Sequence, residues 1–314
     1  MPRFLVTGGA GFIGSSLVRE LVARGEQVRV LDNFATGRRD NLRSLAGRIE
    51  VVEGRVEEPG TVATAMQGID YVLHQAALPS VQRSVEAPVE SHAANLTGTL
   101  VLLQAAAAAG ARRFVYASSS SVYGDSPTLP KVETMPTDPL SPYAVGKLGG
   151  ELYCRVFHRL HGLETVSLRY FNVFGPGQSP DSQYAAVVPR FIAALKAGHP
   201  PVVFGDGLQS RDFTYIDNVV QANLSACSAG KEAAGEAFNI ATGQAVTLLD
   251  LLNRMKELLG SSVDPRFEPG RKGDVRASLA DVRKAERLLG YRPRISLDEG
   301  LKRTLESFAT SSPA

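Results

Sequence analysis

Cysteine is scarce in this chain of 314 residues, which contains only Cys154 and Cys227. The two residues have neither the spacing of a metal site nor that of a redox motif. Two histidines, His158 and His161, lie one helical turn apart, but no third metal ligand follows them. We therefore expect no bound metal, and we expect the reduced, buried thiols of a cytoplasmic protein.

An excess of charge of one sign is also missing. Thirty-four basic residues stand against 32 acidic ones, which gives a formal net charge of +2. Proteins that bind nucleic acid or anionic membranes carry a strongly basic surface. The composition therefore predicts no nucleic-acid partner and no membrane partner.

Long hydrophobic runs are absent as well. The most apolar stretch, residues 96–110, contains threonine and glutamine and is too short to span a bilayer. The first residues, MPRFLVTGG, already have the pattern of a strand that runs into a glycine turn, without the charged and apolar regions of a signal peptide. We expect a protein that is neither exported nor membrane-spanning.

Short apolar segments alternate with helical patterns in the first half of the chain. The predicted strands are 3–7, 27–32, 49–53, 70–74, 113–118 and 164–170. The predicted helices are 12–24, 58–67, 88–109 and 142–161. This alternation is typical of βαβ units, so it predicts an α/β fold with a doubly wound parallel sheet.

The pattern changes after about residue 175, where segments rich in proline and glycine are mixed with short helices. The length also favours two domains, at roughly 150 residues per domain. We expect a nucleotide-binding domain over 1–174, which also receives part of 212–241. A smaller, loop-rich substrate domain is expected over 175–314.

A glycine-rich turn, FLVTGGAGFIG, joins the first predicted strand to the first predicted helix. Gly8, Gly11 and Gly14 would let the backbone turn tightly, approach a pyrophosphate and place it at the helix N-terminus. Asp32 ends the second strand, near the spacing expected for a carboxylate that binds the adenosine ribose. Because this carboxylate would repel a 2′-phosphate, we expect NAD rather than NADP, with Arg38 and Arg39 in a solvated loop.

The segment SPYAVGK places Tyr143 four residues before Lys147. This spacing puts both side chains on one helix face, where an ammonium favours the phenolate form of a tyrosine. Such a pair also occurs often by chance. The catalytic interpretation makes Tyr143 a proton acceptor near neutral pH.

Several motifs in fixed order give this chain a resemblance to a known family. They are TGGAGFIG, the Asp–Asn pair at 32–33, HQAAL at 74–78, SSSSVYG at 118–124, SPYAVGK and LRYFNVFGPGQ. With them the chain resembles, nearly end to end, the extended short-chain dehydrogenase/reductase family. Within it, the chain is most similar to nucleotide-sugar 4-epimerases, notably bacterial enzymes acting on UDP-N-acetylglucosamine or UDP-glucose. The resemblance implies a Rossmann-type fold.

The resemblance also implies the functional residues. The catalytic set would be Ser119, Tyr143 and Lys147. The cofactor would contact Gly8, Gly11, Phe12, Ile13, Gly14, Asp32, Asn33, Ala76, Asn95, Tyr143 and Lys147. The UDP-sugar would contact Ser119, Ser120, Asn172, Val188, Phe204, Arg211, Arg271, Asp274 and Ser278.

The implied roles of the catalytic set agree with its chemistry. Ser119 would hydrogen-bond the 4-oxygen of the sugar, and Tyr143 would take its proton. Lys147 would bind the nicotinamide ribose and, helped by the positive nicotinamide ring, lower the pKa of Tyr143. Ser118 and Ser120 remain alternatives to Ser119 for the sugar contact.

One position departs from the family pattern. Relatives usually have Asp and Ile after the glycine of VEG, and the Asp side chain holds the adenine amino group. This sequence has Arg55 and Val56 there. Arginine cannot accept a hydrogen bond, so either Arg55 stacks on the adenine or another group replaces the contact.

The residues after Ser119 narrow the reaction. Dehydratases of the family have Asp and Glu there, whereas this chain has Ser120 and Ser121, and decarboxylases need a Glu that is also missing. The resemblance therefore implies 4-epimerisation through a transient 4-keto sugar, with NAD as a resident prosthetic group. UDP-glucuronate and UDP-glucose remain alternative substrates to the N-acetylated sugars. An NAD-binding regulatory protein of the same fold is the alternative from another functional class.

Two finer expectations come from the same resemblance. Family members commonly form homodimers through the helices that correspond to 88–109 and 142–161. In the 4-epimerases, the position four residues after the Asp of an R-x-x-D element faces the C2 substituent of the sugar. Counting from Asp274, this position is Ser278, a small residue that would admit an N-acetyl group. A serine at a helix cap is the alternative interpretation.

Overall fold

The structure is a computed structural model, and it describes residues 1–179, 186–270 and 275–310. Its centre is a seven-stranded sheet with the order β11-β6-β5-β4-β1-β2-β3. Every neighbouring pair in this sheet is parallel. Helices cover both faces, so the predicted Rossmann-type fold with its doubly wound parallel sheet is confirmed.

The strands of the central sheet are β1 (Arg3–Thr7), β2 (Gln27–Asp32), β3 (Glu50–Glu53), β4 (Tyr71–His74), β5 (Arg113–Ser119), β6 (Glu164–Tyr170) and β11 (Glu236–Ile240). Small two-stranded sheets are formed by β7 (Val173–Phe174), β8 (Val202–Phe204), β9 (Ser210–Asp212), β10 (Thr214–Tyr215), β12 (Ala245–Thr247) and β13 (Arg266–Glu268). The small sheets all come from the second half of the chain or its border.

The helices in the first half are α1 (Phe12–Ala23), α2 (Pro59–Met66), α3 (Val81–Glu86), α4 (Pro88–His92), α5 (Gly98–Ala108) and α6 (Pro142–His161). Those in the second half are α7 (Val187–Lys196), α8 (Ile216–Ser228), α9 (Leu248–Leu259), α10 (Arg283–Leu289) and α11 (Leu297–Thr310). Short 3₁₀ helices occupy Arg39–Leu45, Ser120–Tyr123 and Lys231–Ala233.

The predicted helix 88–109 is interrupted in the structure. A π-helical turn, Ala93–Thr97, lies between α4 and α5. Such turns insert one extra residue into an α-helix, and they often mark functional sites. Here the turn carries Asn95, one of the predicted cofactor residues.

Two apolar cores lie on the two faces of the sheet. One core packs α1 and α8 against the sheet and continues into the C-terminal half through residues such as Phe191 and Leu251. The other packs α2, α5 and α6 on the opposite face, around Phe114 and Tyr116. Burial of apolar area on both faces explains why the strands have continuous apolar runs.

The seventh strand ties the second half of the chain to the first. β11 pairs with β6 from Glu236↔Val166 to Ile240↔Tyr170. The buried guanidinium of Arg113 donates hydrogen bonds of 2.7 Å to the carbonyls of Ala226 and Ala229, at the end of α8. The sheet edge is therefore completed by residues more than 60 positions further along the chain.

Within the described ranges, no helix is both long enough and apolar enough to cross a bilayer.

Candidate active site

A large cleft opens at the carboxyl ends of the sheet strands. It encloses about 620 Å³ and is lined by the glycine turn, the ends of β2, β4 and β5, and the start of α6. Ligands of open α/β sheets bind at this edge. The predicted residues that line the cleft are Gly8, Gly11, Phe12, Ile13, Gly14, Asp32, Asn33, Ala76, Ser119, Ser120, Tyr143 and Asn172.

The glycine turn has no room for side chains. Gly8 has φ +65°, and a Cβ there would lie 2.7 Å from Cα of Ala76. A Cβ on Gly14 would lie 2.0 Å from the carbonyl oxygen of Gly8. The turn is therefore the bare backbone cradle that a pyrophosphate needs at a helix N-terminus, so this part of the cleft fits a dinucleotide.

Asp32 is fixed at the end of β2. Its carboxylate accepts hydrogen bonds of 2.8 Å from the backbone N–H groups of Ala10 and Phe34. The guanidinium of Arg39 stacks 3.9 Å above the Phe34 ring and pairs with Glu53. This arginine is held by its neighbours, while the carboxylate faces the cleft, which agrees with a ribose that carries no 2′-phosphate.

Asn95 is buried beneath the wall of the cleft. Its Oδ1 accepts the Leu78 N–H at 2.8 Å, and its Nδ2 donates to the Leu78 carbonyl at 3.2 Å and to Ser91 Oγ at 3.1 Å. These bonds hold the segment after β4, which includes Ala76. In the structure Asn95 therefore supports the wall of the cleft through this segment.

α6 begins with strong start signals and runs close to the sheet. Ser141 is its N-cap, with Oγ accepting the Ala144 N–H at 3.2 Å, and Pro142 is the first helical residue. A Cβ on Gly150 would lie 2.2 Å from the Tyr116 hydroxyl. The close approach carries Tyr143 and Lys147 to the end of β5. Both residues lie on α6, four positions apart, as the helix prediction required.

The phenol of Tyr143 lines the cleft together with Ser119. Burial raises the pKa of Tyr143, and the hydroxyl of Ser119 offsets part of this effect. The direction is opposite to the expected lowering, which relied on Lys147 together with the positive nicotinamide ring.

Lys147 is buried behind Tyr143. Its Nζ donates a hydrogen bond of 2.7 Å to the Ala117 carbonyl and lies 5.9 Å from the centre of the Tyr143 ring. Burial lowers the pKa of Lys147 to about 7. Below this pH the side chain is a cation that lies one helical turn from the phenol. Its field is weakly screened there, because the group is buried.

The serines at the end of β5 have different partners. Ser118 Oγ donates to the buried carboxylate of Glu151, which also pairs with Arg169 at 2.7 Å. Ser119 Oγ accepts hydrogen bonds from the Ser121 N–H at 3.2 Å and shares one of 2.9 Å with the Ser121 hydroxyl. Ser118 is thus engaged by Glu151, whereas Ser119, the predicted sugar contact, and its alternative Ser120 both line the cleft.

A second cavity of about 280 Å³ adjoins the cleft. It brings together Asn172, Val188, Phe204 and Arg211, which the sequence resemblance implied as substrate contacts. The prediction did not include Arg190, which follows the proline of VVPR and lies 5.4 Å from the centre of the Phe204 ring. The available signal was its position two residues after Val188, which was a predicted contact.

Asn172 connects the two cavities, because it lines both. Its φ is +33°, an uncommon value for a residue with a side chain. The side chain donates to the Asp212 carbonyl at 2.9 Å, and its own carbonyl accepts the Thr214 N–H at 3.2 Å. Strained conformations of this kind concentrate at ligand sites.

Of the three remaining predicted contacts, Arg271 and Asp274 fall outside the described residues, and Ser278 lies within them. The Ser278 N–H donates to the Ser210 carbonyl at 3.1 Å, which places residue 278 beside β9, the strand of Arg211. The structure thus brings this segment near the predicted UDP contacts.

The fold, the glycine turn and the Ser–Tyr–Lys set define an enzyme of the short-chain dehydrogenase/reductase type. The chain belongs to the NAD-dependent epimerase/dehydratase family, whose model matches residues 4–241. Members of this family depend on NAD, so the prediction of NAD as the cofactor is confirmed.

Individual relatives cover almost the whole chain. The UDP-glucose 4-epimerase of Mycolicibacterium smegmatis is 39% identical over 99% of this chain and 99% of its own length. The crystal structure of UDP-glucose 4-epimerase from Thermotoga maritima with UDP-glucose has 39% identity and a TM-score of 0.94, covering 98% of this chain and 99% of that one. The UDP-N-acetylglucosamine 4-epimerase from Methanobrevibacter ruminantium, in complex with UDP-N-acetylmuramic acid, has 35% identity and a TM-score of 0.95, covering 99% of each chain.

Proposed function

We propose that this protein is an NAD-dependent 4-epimerase of UDP-sugars that accepts the N-acetylated pair, UDP-N-acetylglucosamine and UDP-N-acetylgalactosamine. The observation that carries the proposal is the meeting of Ser119 and Tyr143 in one cleft, with Lys147 directly behind and the glycine turn opposite. The named relatives that epimerise UDP-glucose and UDP-N-acetylglucosamine support it.

The protein residues have distinct tasks in this reaction. Ser119 hydrogen-bonds the 4-hydroxyl of the sugar and orients it toward Tyr143, which removes the hydroxyl proton as C4 is oxidised. Lys147 stabilises the phenolate form of Tyr143 that accepts this proton, and it holds the cofactor ribose. NAD, when bound, supplies the acceptor and later the donor of the C4 hydride. The 4-keto sugar then rotates within the site so that its opposite face is presented for reduction. Tyr143 returns the proton to the 4-oxygen.

Elimination is disfavoured by the residues next to Ser119. Ser120 and Ser121 line the cleft where an acid and a base would be needed to remove water from the sugar. A serine hydroxyl is neither acidic nor basic enough for that task near neutral pH. Epimerisation needs only the proton transfer at O4, which the described set provides.

The second cavity suits the UDP moiety. Arg190 and Arg211 supply guanidinium groups to this cavity. Guanidinium groups bind diphosphates with charge-assisted hydrogen bonds. The ring of Phe204 also lines the cavity, where the uracil base could contact it. We accordingly assign NAD binding to residues 1–174 together with β11, and UDP-sugar binding to 175–314. Arg271 and Asp274 are further proposed contacts of the UDP group.

Turnover of a substrate panel tests this function. The purified protein is incubated separately with UDP-glucose, UDP-N-acetylglucosamine and UDP-glucuronate, and the 4-epimers are resolved by chromatography. We expect interconversion of the N-acetylated pair, with lower activity on UDP-glucose. If only UDP-glucuronate is epimerised, the proposed substrate is wrong and UDP-glucuronate takes its place. If no sugar is epimerised, the result favours a regulatory protein.

Ser278 is proposed as the gate for the N-acetyl group. We expect Ser278→Tyr to lower kcat/KM for UDP-N-acetylglucosamine by about 5- to 150-fold, because overfilling a packed site costs about 1 to 3 kcal/mol. Activity on UDP-glucose should be retained. Steady-state kinetics with both sugars gives the measurement, and Ser278→Ala, which keeps the site small, is the matched control. An unchanged kcat/KM for the acetylated sugar in Ser278→Tyr contradicts the gate.

An exposed apolar stripe supports a homodimer. It consists of Leu152, Val156 and Leu160, at spacings of four on α6, with Val85 on α3 and Val89 on α4 beside them. Stripes of this kind on one helix face usually mark an interaction surface. We propose that two copies of this surface pack together as an intermolecular helix bundle.

The dimer proposal predicts a change of mass. Light scattering at micromolar concentration should give twice the chain mass for the wild type and the monomer mass for Leu152→Glu, because a buried, unpaired carboxylate destabilises the interface. Leu258→Glu, on the exposed side of α9, makes the same change outside the stripe and should remain dimeric. A monomeric wild type, or a dimeric Leu152→Glu variant, would exclude this interface.

A further inference from the structure

A charged pair borders the cleft just beyond β3. Arg55 donates to Glu57 through Nε at 2.6 Å and approaches it through Nη2 at 2.5 Å, and both contacts reach the same carboxylate oxygen, Oε1. The Glu57 side chain is only 16% exposed, whereas that of Arg55 is 50% exposed. Glu57 lines the cleft. The Arg55 side chain is therefore occupied by Glu57, and the contact leaves Oε2 on a carboxylate at the cleft wall.

The location of this pair follows from Asp32. The Gly54 N–H donates to the Asp32 carbonyl at 3.1 Å, so the segment after β3 lies next to the end of β2. Gly54, Val56 and Glu57 line the cleft on this side. The carboxylate at the end of the second strand binds the adenosine ribose of a dinucleotide. The base attached to that ribose must then lie against the neighbouring segment, residues 54–57.

The wall at this point combines an apolar surface with an acceptor. Val56 is buried and packs closely against Gly98 of α5, since its Cγ2 lies 2.5 Å from the position that a Cβ on Gly98 would take. Adenine has a flat apolar face and a 6-amino group that donates hydrogen bonds. A valine side chain beside a carboxylate oxygen complements both properties.

The adjacent carboxylate has a different role. Glu58 is the N-cap residue of α2, and its Oε2 accepts from the Thr61 hydroxyl at 2.9 Å and from the Arg55 N–H at 3.4 Å. Glu58 is therefore engaged in the helix start. Of these two neighbouring carboxylates, Glu57 lines the cleft and Glu58 does not, so they serve as test and control.

We propose that Glu57 recognises the adenine of NAD by accepting a hydrogen bond from its 6-amino group, and that Arg55 is a positioning residue that holds the carboxylate for this contact. The chain thereby replaces the usual acceptor at position 55 by one two residues later. The proposal rests on the NAD site of the proposed function and is independent of the sugar.

Binding of two dinucleotides tests the assignment. Dissociation constants of the full chain, freed of bound nucleotide, are measured by titration calorimetry with NAD and with nicotinamide hypoxanthine dinucleotide, which has an oxygen in place of the 6-amino group. Hydrogen bonds to charged groups contribute about 1.5 to 3 kcal/mol, so the wild type should prefer NAD by about 10- to 100-fold. Glu57→Ala should reduce this preference to about threefold or less by weakening NAD binding.

Two further variants complete the test. Glu58→Ala removes the same charge one residue later and should keep the wild-type preference. Arg55→Ala leaves the acceptor but releases its position, and should give an intermediate preference. Equal affinities in the wild type, a preserved preference in Glu57→Ala, or an equal loss in Glu58→Ala would overturn the proposal. These constants are obtained without sugar, so failure of the epimerase assay and failure of this proposal are distinguishable.

Discussion

Tyr143→Phe is expected to lower kcat for epimerisation by about 10²- to 10⁴-fold, the range typical of a lost general acid–base group. The substitution removes one oxygen and keeps the ring that lines the cleft. NAD should remain bound, because the glycine turn and Asp32 are untouched. The measurement is kcat with the UDP-sugar turned over by the wild type, together with the NAD content of the purified variant.

Tyr153→Phe provides the control for this substitution. It makes the same change on the same helix, ten residues later, where the side chain is partly exposed. We expect its kcat to match the wild type. A Tyr143→Phe variant that kept more than a few per cent of the wild-type rate would show that another group takes the proton.

Lys147→Met is expected to reduce kcat by about 10²-fold or more and also to weaken NAD binding, since a charge-assisted hydrogen bond contributes about 1.5 to 3 kcal/mol. Methionine keeps much of the buried volume around Ala117 and Tyr143, so the loss reports the ammonium rather than packing. The measurements are kcat and the dissociation constant of NAD. Lys302→Met, at an exposed position of α11, should change neither.

The pH dependence of cofactor binding separates a role of the charge from a merely structural role. Burial lowers the pKa of Lys147 to about 7. The ammonium is thus present below this pH and is lost as the pH rises through it, so NAD affinity of the wild type should decline between pH 6 and 8, about one unit on either side. The Lys147→Met variant should show no such decline. A parallel decline in both proteins would assign it to other groups.

The central sheet could be predicted because its signals are local. Each of the first six strands is a short apolar run that ends at a turn. The ends of all six strands in the structure lie within one or two residues of the predicted ends. The interruption at Ala93–Thr97 could not be predicted, because the surrounding alanines and leucines fit an α-helix and a π-turn equally well. Asn95 in this turn bonds to Leu78, 17 positions earlier, and a contact at that separation leaves no local pattern.

The site was predictable where spacing reflects geometry and not where partners are distant. Tyr143 and Lys147 share a helix face, so their spacing sufficed. The partner of Ser118 is Glu151, 33 positions away, and no local pattern distinguishes Ser118 from Ser119. The direction of the Tyr143 pKa was expected to be downward, but it follows burial, which a sequence does not give. The Arg55–Glu57 pair lies within three residues, yet only the structure shows which of the two faces the cleft.

The insertion of β11 beside β6 has a consequence for how this chain folds. A fragment ending at residue 174 would leave the hydrogen-bonding groups of β6 unpaired along one edge, and the buried guanidinium of Arg113 would lose its acceptors at Ala226 and Ala229. Exposed edges favour aggregation, and Arg113, left with Glu164 as its partner, would lose two of the hydrogen bonds that offset its burial. Contacts of such large sequence separation also form late and slow the folding reaction. A nascent chain therefore completes the central sheet only after β11 has been synthesised. Ser119, Tyr143 and Lys147 have all been synthesised much earlier.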